Sequence, residues 1–246
     1  MKRYMSFAVV ITSLFFGILI AHGKTSNSPI GIWESTITGQ NQGLAIIVFN
    51  SDSTVIGYGM TLQSFGPFLF RGTWTFDVHG NVIGSCTEYL KGVNVCTISF
   101  VGKAIAGRSF TAKLTSNYGN FSISAIPATY HPDISGQLNA VVTQNHITIS
   151  ESFSTAALTQ YFGEDLSWVW GYVVAGNEMG MYGPFTVTGY GLVSSKGAVI
   201  FYTESDFGNG NISSATFKGT INLKTQRGTL SGYSDAGDRI SVKISR

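Results

Sequence analysis

The sequence predicts an all-β protein made of antiparallel strands, and three observations lead to this class. Apolar residues alternate with polar ones or form short runs, and clusters of Gly, Asn, Asp and Ser interrupt them roughly every twelve residues. Beyond position 23, no segment of ten or more residues keeps the 3.6-residue apolar period of an amphipathic helix. The chain is 43% hydrophobic and 11% charged, which excludes a disordered polypeptide.

The pattern places sixteen strands in order along the chain. The predicted strands are 32–39, 43–50, 54–62, 68–77, 81–89, 93–101, 108–115, 119–126, 135–143, 145–153, 167–175, 185–194, 198–206, 212–224, 226–233 and 238–245. Short turns such as 50–53 and 77–81 imply that consecutive strands pair antiparallel. Segments 44–49 and 168–175 are apolar on both faces, which predicts strands that are covered on both sides.

An internal repeat divides the chain into two copies. A shift of 117 residues superimposes Gly66-Pro67-Phe68 on Gly183-Pro184-Phe185, and these three are among 11 identities that the shift gives without a gap over 59–102. Gly31 instead matches Gly136, a shift of 105, which places an insertion of roughly a dozen residues within 154–166. Eight short strands per copy predict two tandem up-and-down barrels, with one larger pseudo-twofold barrel or sandwich as the alternative.

The domain limits follow from the repeat and from the amino terminus. Residues 1–23 have the features of a secretory signal peptide: Lys2 and Arg3 precede an apolar stretch, and Ala21 and Gly23 suit cleavage after position 23. We expect the first barrel over 24–128, a linker over 129–134 and the second barrel over 135–246. The predicted location is secreted or periplasmic, with an uncleaved amino-terminal anchor as an alternative.

The charge balance limits the partners. Without Lys2 and Arg3, the count of Lys plus Arg falls from 15 to 13 and equals the 13 Asp plus Glu. A formally neutral chain without a basic stripe is not expected to bind nucleic acid. Its few charges give little protection against association, so an oligomer, a protein partner or a membrane remains open.

The two cysteines lie on successive predicted strands. A three-residue loop over 90–92 would pair Tyr89 with Val93 and bring Cys86 opposite Cys96. Together with export, this register predicts a structural cross-strand disulfide.

The sequence contains no recognisable catalytic or metal-binding motif. The histidines at 79, 131 and 146 lack the spacing of metal ligands, so no metal and no cofactor is expected. Glu34, Glu88, Glu151 and Glu204 fall in predicted strands, where a buried carboxyl would suit acid–base chemistry. A small-barrel enzyme is therefore one alternative function. The sequons at Asn120 and Asn211 matter only if the source glycosylates exported proteins.

The aromatic residues point to binding rather than catalysis. Trp168, Trp170 and Tyr172 alternate along one strand, and Tyr161 and Phe162 lie in the preceding insertion. Aromatic faces line apolar cavities and stack on sugars. We therefore predict a non-enzymatic protein that binds a small apolar ligand, a glycan or a protein partner through these five residues. An outer-membrane barrel is the other alternative, since lipid-facing strands also alternate.

A short resemblance supports the barrel architecture. Gly31-Ile32-Trp33, followed by the strand that contains Gly57-Tyr58-Gly59, resembles the first hairpin of calycin-type barrels, the superfamily of lipocalins and avidins. The second copy has Gly136-Gln137-Leu138 at the equivalent position and lacks the tryptophan. The resemblance implies a closed antiparallel barrel and implies nothing about the ligand.

Overall fold

The computed structural model describes residues 27–63, 66–90, 92–128, 133–161, 167–180, 183–208 and 210–246. Within these ranges, the side chains of 149, 151, 157–161, 167–180 and 183–184 are left undescribed. The predicted signal peptide over 1–23 and most of the predicted linker therefore lie outside the described residues. No helix in the described part of the chain has the length and hydropathy needed to cross a membrane.

The described residues form sixteen strands in two sheets of eight. The first sheet contains β1 Gly31–Gly39, β2 Gly43–Phe49, β3 Thr54–Thr61, β4 Phe68–Phe76, β5 Val82–Leu90, β6 Val93–Ile105, β7 Ser109–Ser116 and β8 Gly119–Pro127. The second contains β9 Gly136–Gln144, β10 Ile147–Tyr161, β11 Ser167–Gly180, β12 Gly183–Val193, β13 Ala198–Asp206, β14 Ile212–Asn222, β15 Arg227–Ser234 and β16 Arg239–Ser245.

Each sheet closes on itself as an antiparallel barrel in which sequential strands are neighbours. In the first barrel β8 returns to β1, with Ile37 opposite Ile123, and in the second β16 returns to β9, with Val242 opposite Val142. The predicted class and the two tandem eight-stranded barrels are thus confirmed. The alternative of one larger barrel or sandwich is not what forms.

The strand registers carry the same offset as the sequence repeat. Gly72 lies opposite Cys86 in the first barrel, and Gly189 lies opposite Thr203 in the second. A Cβ atom on Gly72 would lie 1.9 Å from the Ser85 carbonyl oxygen, and one on Gly189 would lie 2.1 Å from that of Tyr202. Glycine recurs at this point because the neighbouring strand leaves no room for a side chain.

The equivalent turns β4–β5 and β12–β13 also match. The Asp77 N–H donates to the Asn81 carbonyl at 2.9 Å, and the Gly80 N–H donates to the Asp77 carbonyl at 3.0 Å. Residues 194, 197 and 198 repeat both bonds at 2.8 and 2.9 Å. Gly80 and Gly197 have φ of +76° and +80°, a conformation that favours glycine.

The insertion in the second copy lengthens one hairpin. Strands β10 and β11 have 15 and 14 residues, whereas their first-barrel counterparts β2 and β3 have 7 and 8. The additional residues pair with each other, as in Gln160 opposite Trp168, and the register shifts once at Leu158/Thr159.

The predicted disulfide is wrong, because the hairpin that joins β5 and β6 has a different register. Both cysteines are free and buried. Leu90 pairs with Val93, and a bulge after Glu88 brings Cys96 opposite Glu88 and Ile98 opposite Cys86. The cysteines are thus diagonal neighbours, and such positions are typically about 7–8 Å apart, beyond the usual Cα separation of a disulfide.

The two barrels pack against each other through apolar outer faces. Leu44 and Met60 on β2 and β3 form a buried cluster with Leu192, Ile200 and Tyr202 on β12 and β13. This contact confirms that β2 is covered on both sides, as its sequence predicts. At the edge of the cluster, the Ser195 N–H donates to the Glu34 carboxylate at 2.8 Å.

Candidate functional site

Aromatic side chains close one end of the first barrel. The Phe49 ring lies 5.0 Å from that of Phe110 and 5.9 Å from that of Trp74, and the Trp33 ring lies 6.2 Å from that of Phe110. The indole N–H of Trp33 donates to the Pro29 carbonyl at 2.6 Å, so the tryptophan is buried with its polar atom satisfied. This aromatic cluster fills the barrel at the end where the chain enters β1.

Beyond the cluster, the barrel interior is hollow. A cavity of about 340 Å³ extends toward the rim formed by the loops β1–β2, β3–β4, β5–β6 and β7–β8. This volume is near the lower end of the range for small-molecule sites, about 300–1,000 Å³. Its wall is mainly apolar and includes Ile37, Ile47, Phe68, Phe100, Leu114 and Phe121.

Several polar side chains of the wall bond to the barrel itself. The Ser35 hydroxyl donates to the Ala45 carbonyl at 3.0 Å, and the Asn41 amide donates to the Thr61 hydroxyl at 2.7 Å. At the rim, the exposed Tyr118 hydroxyl lies 3.4 Å from the Val95 carbonyl. These bonds satisfy polar groups at the cavity wall.

One carboxyl group lines the cavity among the described residues. Glu88 lies opposite Cys96, whose thiol donates to the Glu88 carboxylate with an Sγ–Oε2 distance of 3.3 Å. Burial raises the pKa of Glu88 above its ordinary value, and the hydrogen bond from Cys96 opposes part of that increase. Glu88 is therefore a carboxyl group whose charged form is disfavoured by its burial in the cavity wall.

The two thiols are not nucleophiles. Burial raises the pKa of both Cys86 and Cys96 to about 12, and the adjacent Glu88 carboxylate adds to the effect at Cys96. At neutral pH both groups remain protonated, so the reactive thiolate is scarce.

The second barrel contains a larger cavity, of about 510 Å³. From the strand registers, Leu138, Thr155 and Gly228 occupy the positions of the closing aromatics Trp33, Phe49 and Phe110. Each of these three residues is smaller than its counterpart in the first barrel. The Glu88–Cys96 pair corresponds to Ser205 and Ser213, which also lie opposite each other.

The structure separates the predicted acid–base candidates. Of the four glutamates, Glu88 faces a cavity. Glu34 contacts the second barrel, and Glu204 accepts a hydrogen bond from the Tyr202 hydroxyl at 2.6 Å. The side chain of Glu151 lies outside the described residues.

The predicted aromatic binding residues remain a prediction. Tyr161 ends β10, and Trp168, Trp170 and Tyr172 lie on β11. The side chains of these four residues and the whole of Phe162 are outside the described part of the molecule. In the part that is described, no group of three or more His, Cys, Asp or Glu is arranged to hold a metal ion.

Sequence reasoning did not find the cavity of the first barrel or the contact between Glu88 and Cys96. The alternation in β5 does place Cys86 and Glu88 on one face, which is the signal that was available. The bulge that aligns Cys96 with Glu88 is not marked by any residue type in the sequence.

No family model matches the chain, and no curated protein matches it. A crystal structure of a DUF3598-family protein of unknown function from Nostoc punctiforme is 14% identical, and the match covers 89% of this chain and 96% of that one. Its TM-score of 0.24 is too low to support an argument from similarity.

Proposed function

We propose that this protein is an exported binding protein that holds a small apolar molecule inside its first barrel. The observation that carries the proposal is the hollow interior, which is closed by aromatic rings at one end and lined by apolar side chains up to the opposite rim. Export rests on the sequence features of residues 1–23 and belongs to the same proposal.

The polarity of the barrel wall supports binding from water. On β7 and β8, the outward side chains Thr111, Lys113, Ser122 and Ser124 are exposed, and the inward ones are apolar. A barrel that spans an outer membrane has the reverse arrangement, with apolar residues outside. This arrangement favours a water-facing barrel with an apolar interior over the outer-membrane alternative.

The chemistry of the cavity favours binding over catalysis. Glycosidase-type chemistry requires two carboxyl groups, and general-base activation of a nucleophile requires a base beside it. The described wall has one carboxyl group, Glu88, and its neighbour Cys96 stays protonated at neutral pH. Glu88 is therefore better suited to contact a ligand than to complete a catalytic pair.

Pyrene is a suitable first probe because it is neutral and its emission spectrum reports the polarity around it. We expect the protein to bind pyrene in an apolar environment and to release it when a ten-carbon alcohol is added. A pyrene spectrum that stays aqueous at high protein concentration would overturn the proposal.

Paired variants locate the site. Ile98→Trp places an indole ring in the first cavity and should weaken one class of pyrene sites, whereas Thr97→Trp adds an indole on the outside of the same strand and should not. Ala215→Trp is the matched change in the second cavity, because Ala215 is the counterpart of Ile98. Binding that is lost in Ala215→Trp and kept in Ile98→Trp would assign the function to the second barrel instead.

A further inference from the structure

We propose that the ligand of the first barrel is an apolar molecule with a protonated amine, whose alkyl or aryl part fills the cavity and whose ammonium group pairs with Glu88 at the mouth. The proposal rests on the proposed function and specifies the chemistry of its ligand. It follows from the position of Glu88, from the residues around that carboxyl and from the absence of basic side chains in the described wall.

The position of Glu88 matches the polar end of an amphipathic ligand. Glu88 and Leu90 lie near the end of β5, on the side of the open rim, while the closing aromatics lie at the other end of the strands. A molecule that places its apolar part against Phe100 and Phe110 would have its other end beside Glu88. The Glu88 carboxyl is half-buried, so it is accessible from the cavity and also close to water. Its closeness to water limits the desolvation cost of an ion pair between Glu88 and the ammonium group.

The neighbours of Glu88 suit a cation. Phe70 is its cross-strand partner on β4 and lines the same cavity, so an aromatic ring lies beside the carboxyl. An ammonium group placed there would meet both a carboxylate and a ring face, and both attract cations. The thiol of Cys96 donates to Glu88 on the other side, which stabilises the ionised carboxylate.

The lining of the cavity disfavours an anionic ligand. Among the described wall residues there is no Lys, Arg or His, so a carboxylate or phosphate head would lie near Glu88 without a compensating cation. Unpaired charge in an apolar site is costly. Fatty acids and other apolar anions should therefore bind more weakly than amines of equal length.

A structural role does not explain Glu88. The second barrel has Ser205 at the equivalent position and closes with the same strand order, so the fold does not require a carboxyl there. Burial raises the pKa of Glu88, which means that the folded barrel disfavours its charged form. A carboxyl group whose charged form is disfavoured by its surroundings, and which is absent from the second copy, fits a role in contacting a ligand.

The test compares three ten-carbon probes that differ only in the head group: decylamine, decanol and decanoate. Each is used at neutral pH to displace pyrene from the Ala215→Trp protein, in which the added indole obstructs the second cavity. We expect decylamine to displace pyrene at a concentration about tenfold lower than decanol, and decanoate to be the weakest of the three.

Two variants assign the preference to the carboxyl. Glu88→Gln keeps the size of the side chain and removes its charge, and it should remove the advantage of decylamine while decanol binds as before. Asp52→Asn removes one negative charge from an exposed turn at the closed end, and it should keep the advantage. Loss of the advantage in both variants would indicate a general charge effect and would overturn the proposal.

The pH dependence gives a test without a variant. The groups facing Glu88 are Phe70 of β4, Cys96 of β6 and, beyond Cys96, Ser116 of β7; of these, Cys96 titrates, with a pKa of about 12. The other titratable wall residues are Cys86 and Tyr118. As pH falls through the pKa of Glu88, binding of decylamine should weaken to the level of decanol, and binding of decanol should not change.

The outcomes separate the two proposals. If decanol displaces pyrene as well as decylamine does, the amine inference is wrong and the apolar site remains. If pyrene and all three probes fail to bind, the proposed function fails and the inference fails with it.

Discussion

Phe110→Ala tests the closed end of the first barrel. The Phe110 side chain is fully buried and contacts the rings of Trp33 and Phe49. Replacing a buried phenylalanine by alanine typically costs about 3–5 kcal/mol, and the cost rises with the volume of the cavity that remains. Because Phe110 borders an existing cavity, the new space would join it rather than collapse. We therefore expect a loss near the upper end of that range.

The assay is equilibrium unfolding in urea, followed by far-ultraviolet circular dichroism and by tryptophan fluorescence. Phe121→Ala is the matched control, because Phe121 lines the same cavity near the rim and is only partly buried. It should cost clearly less than Phe110→Ala. The Phe110 variant should also bind longer alkyl alcohols more tightly than the unmodified protein. A loss below about 1 kcal/mol, or an equal loss in both variants, would refute a packed closed end and an open rim.

Four further predictions concern other parts of the molecule. Cys86 and Cys96 should react slowly with iodoacetamide in the folded protein near neutral pH and rapidly after unfolding, because burial raises the pKa of both thiols to about 12; an intact mass two hydrogens light would contradict this. Glu88→Gln should stabilise the protein at neutral pH in the absence of added ligand. Because burial raises the pKa of Glu88 in the folded state, the contribution of Glu88 to folding stability is most favourable below its unfolded pKa and is lost as pH rises through its folded pKa. The stability gained by Glu88→Gln, measured by thermal unfolding, should therefore disappear in acid. Met60→Ala, at a fully buried position between the barrels, should cost about 2–5 kcal/mol and separate the unfolding of the two barrels in calorimetry; a single unshifted transition would argue against the contact. In a series of linear alcohols, each methylene should improve affinity roughly fourfold, from about 0.8 kcal/mol per buried group, until the chain outgrows the cavity; a flat series would contradict an apolar interior.

Most of the fold could be predicted from local patterns. Alternation along segments such as Ser109–Ser116 identifies strands and their inward faces, and turn residues such as Gly80 and Gly197 mark where they end. The repeat offset then implied two copies with the same strand order. The apolar residues on both faces of β2 predicted that this strand is covered on both sides. The run Ala198–Tyr202 of β13 is also apolar on both faces, but the sequence did not show that these two strands contact each other.

The candidate site was harder to predict because it depends on register and on volume. The hairpin pairs Leu90 rather than Tyr89 with Val93, and this change and the bulge after Glu88 together shift Cys96 by two residues, from the expected position opposite Cys86 to a position opposite Glu88. That shift turns a predicted disulfide into a thiol–carboxyl contact. The hollow interior depends on the total volume of side chains from eight strands, and no short segment encodes such a quantity.

The proposed function requires that the first barrel holds an apolar molecule, and a crystal structure with a brominated aliphatic alcohol would test this requirement most directly. We expect anomalous density from bromine inside the first barrel, between the rim and the rings of Phe100 and Phe110. Bromine found only on the outer surface or only in the second cavity, or no bromine at saturating alcohol, would contradict it.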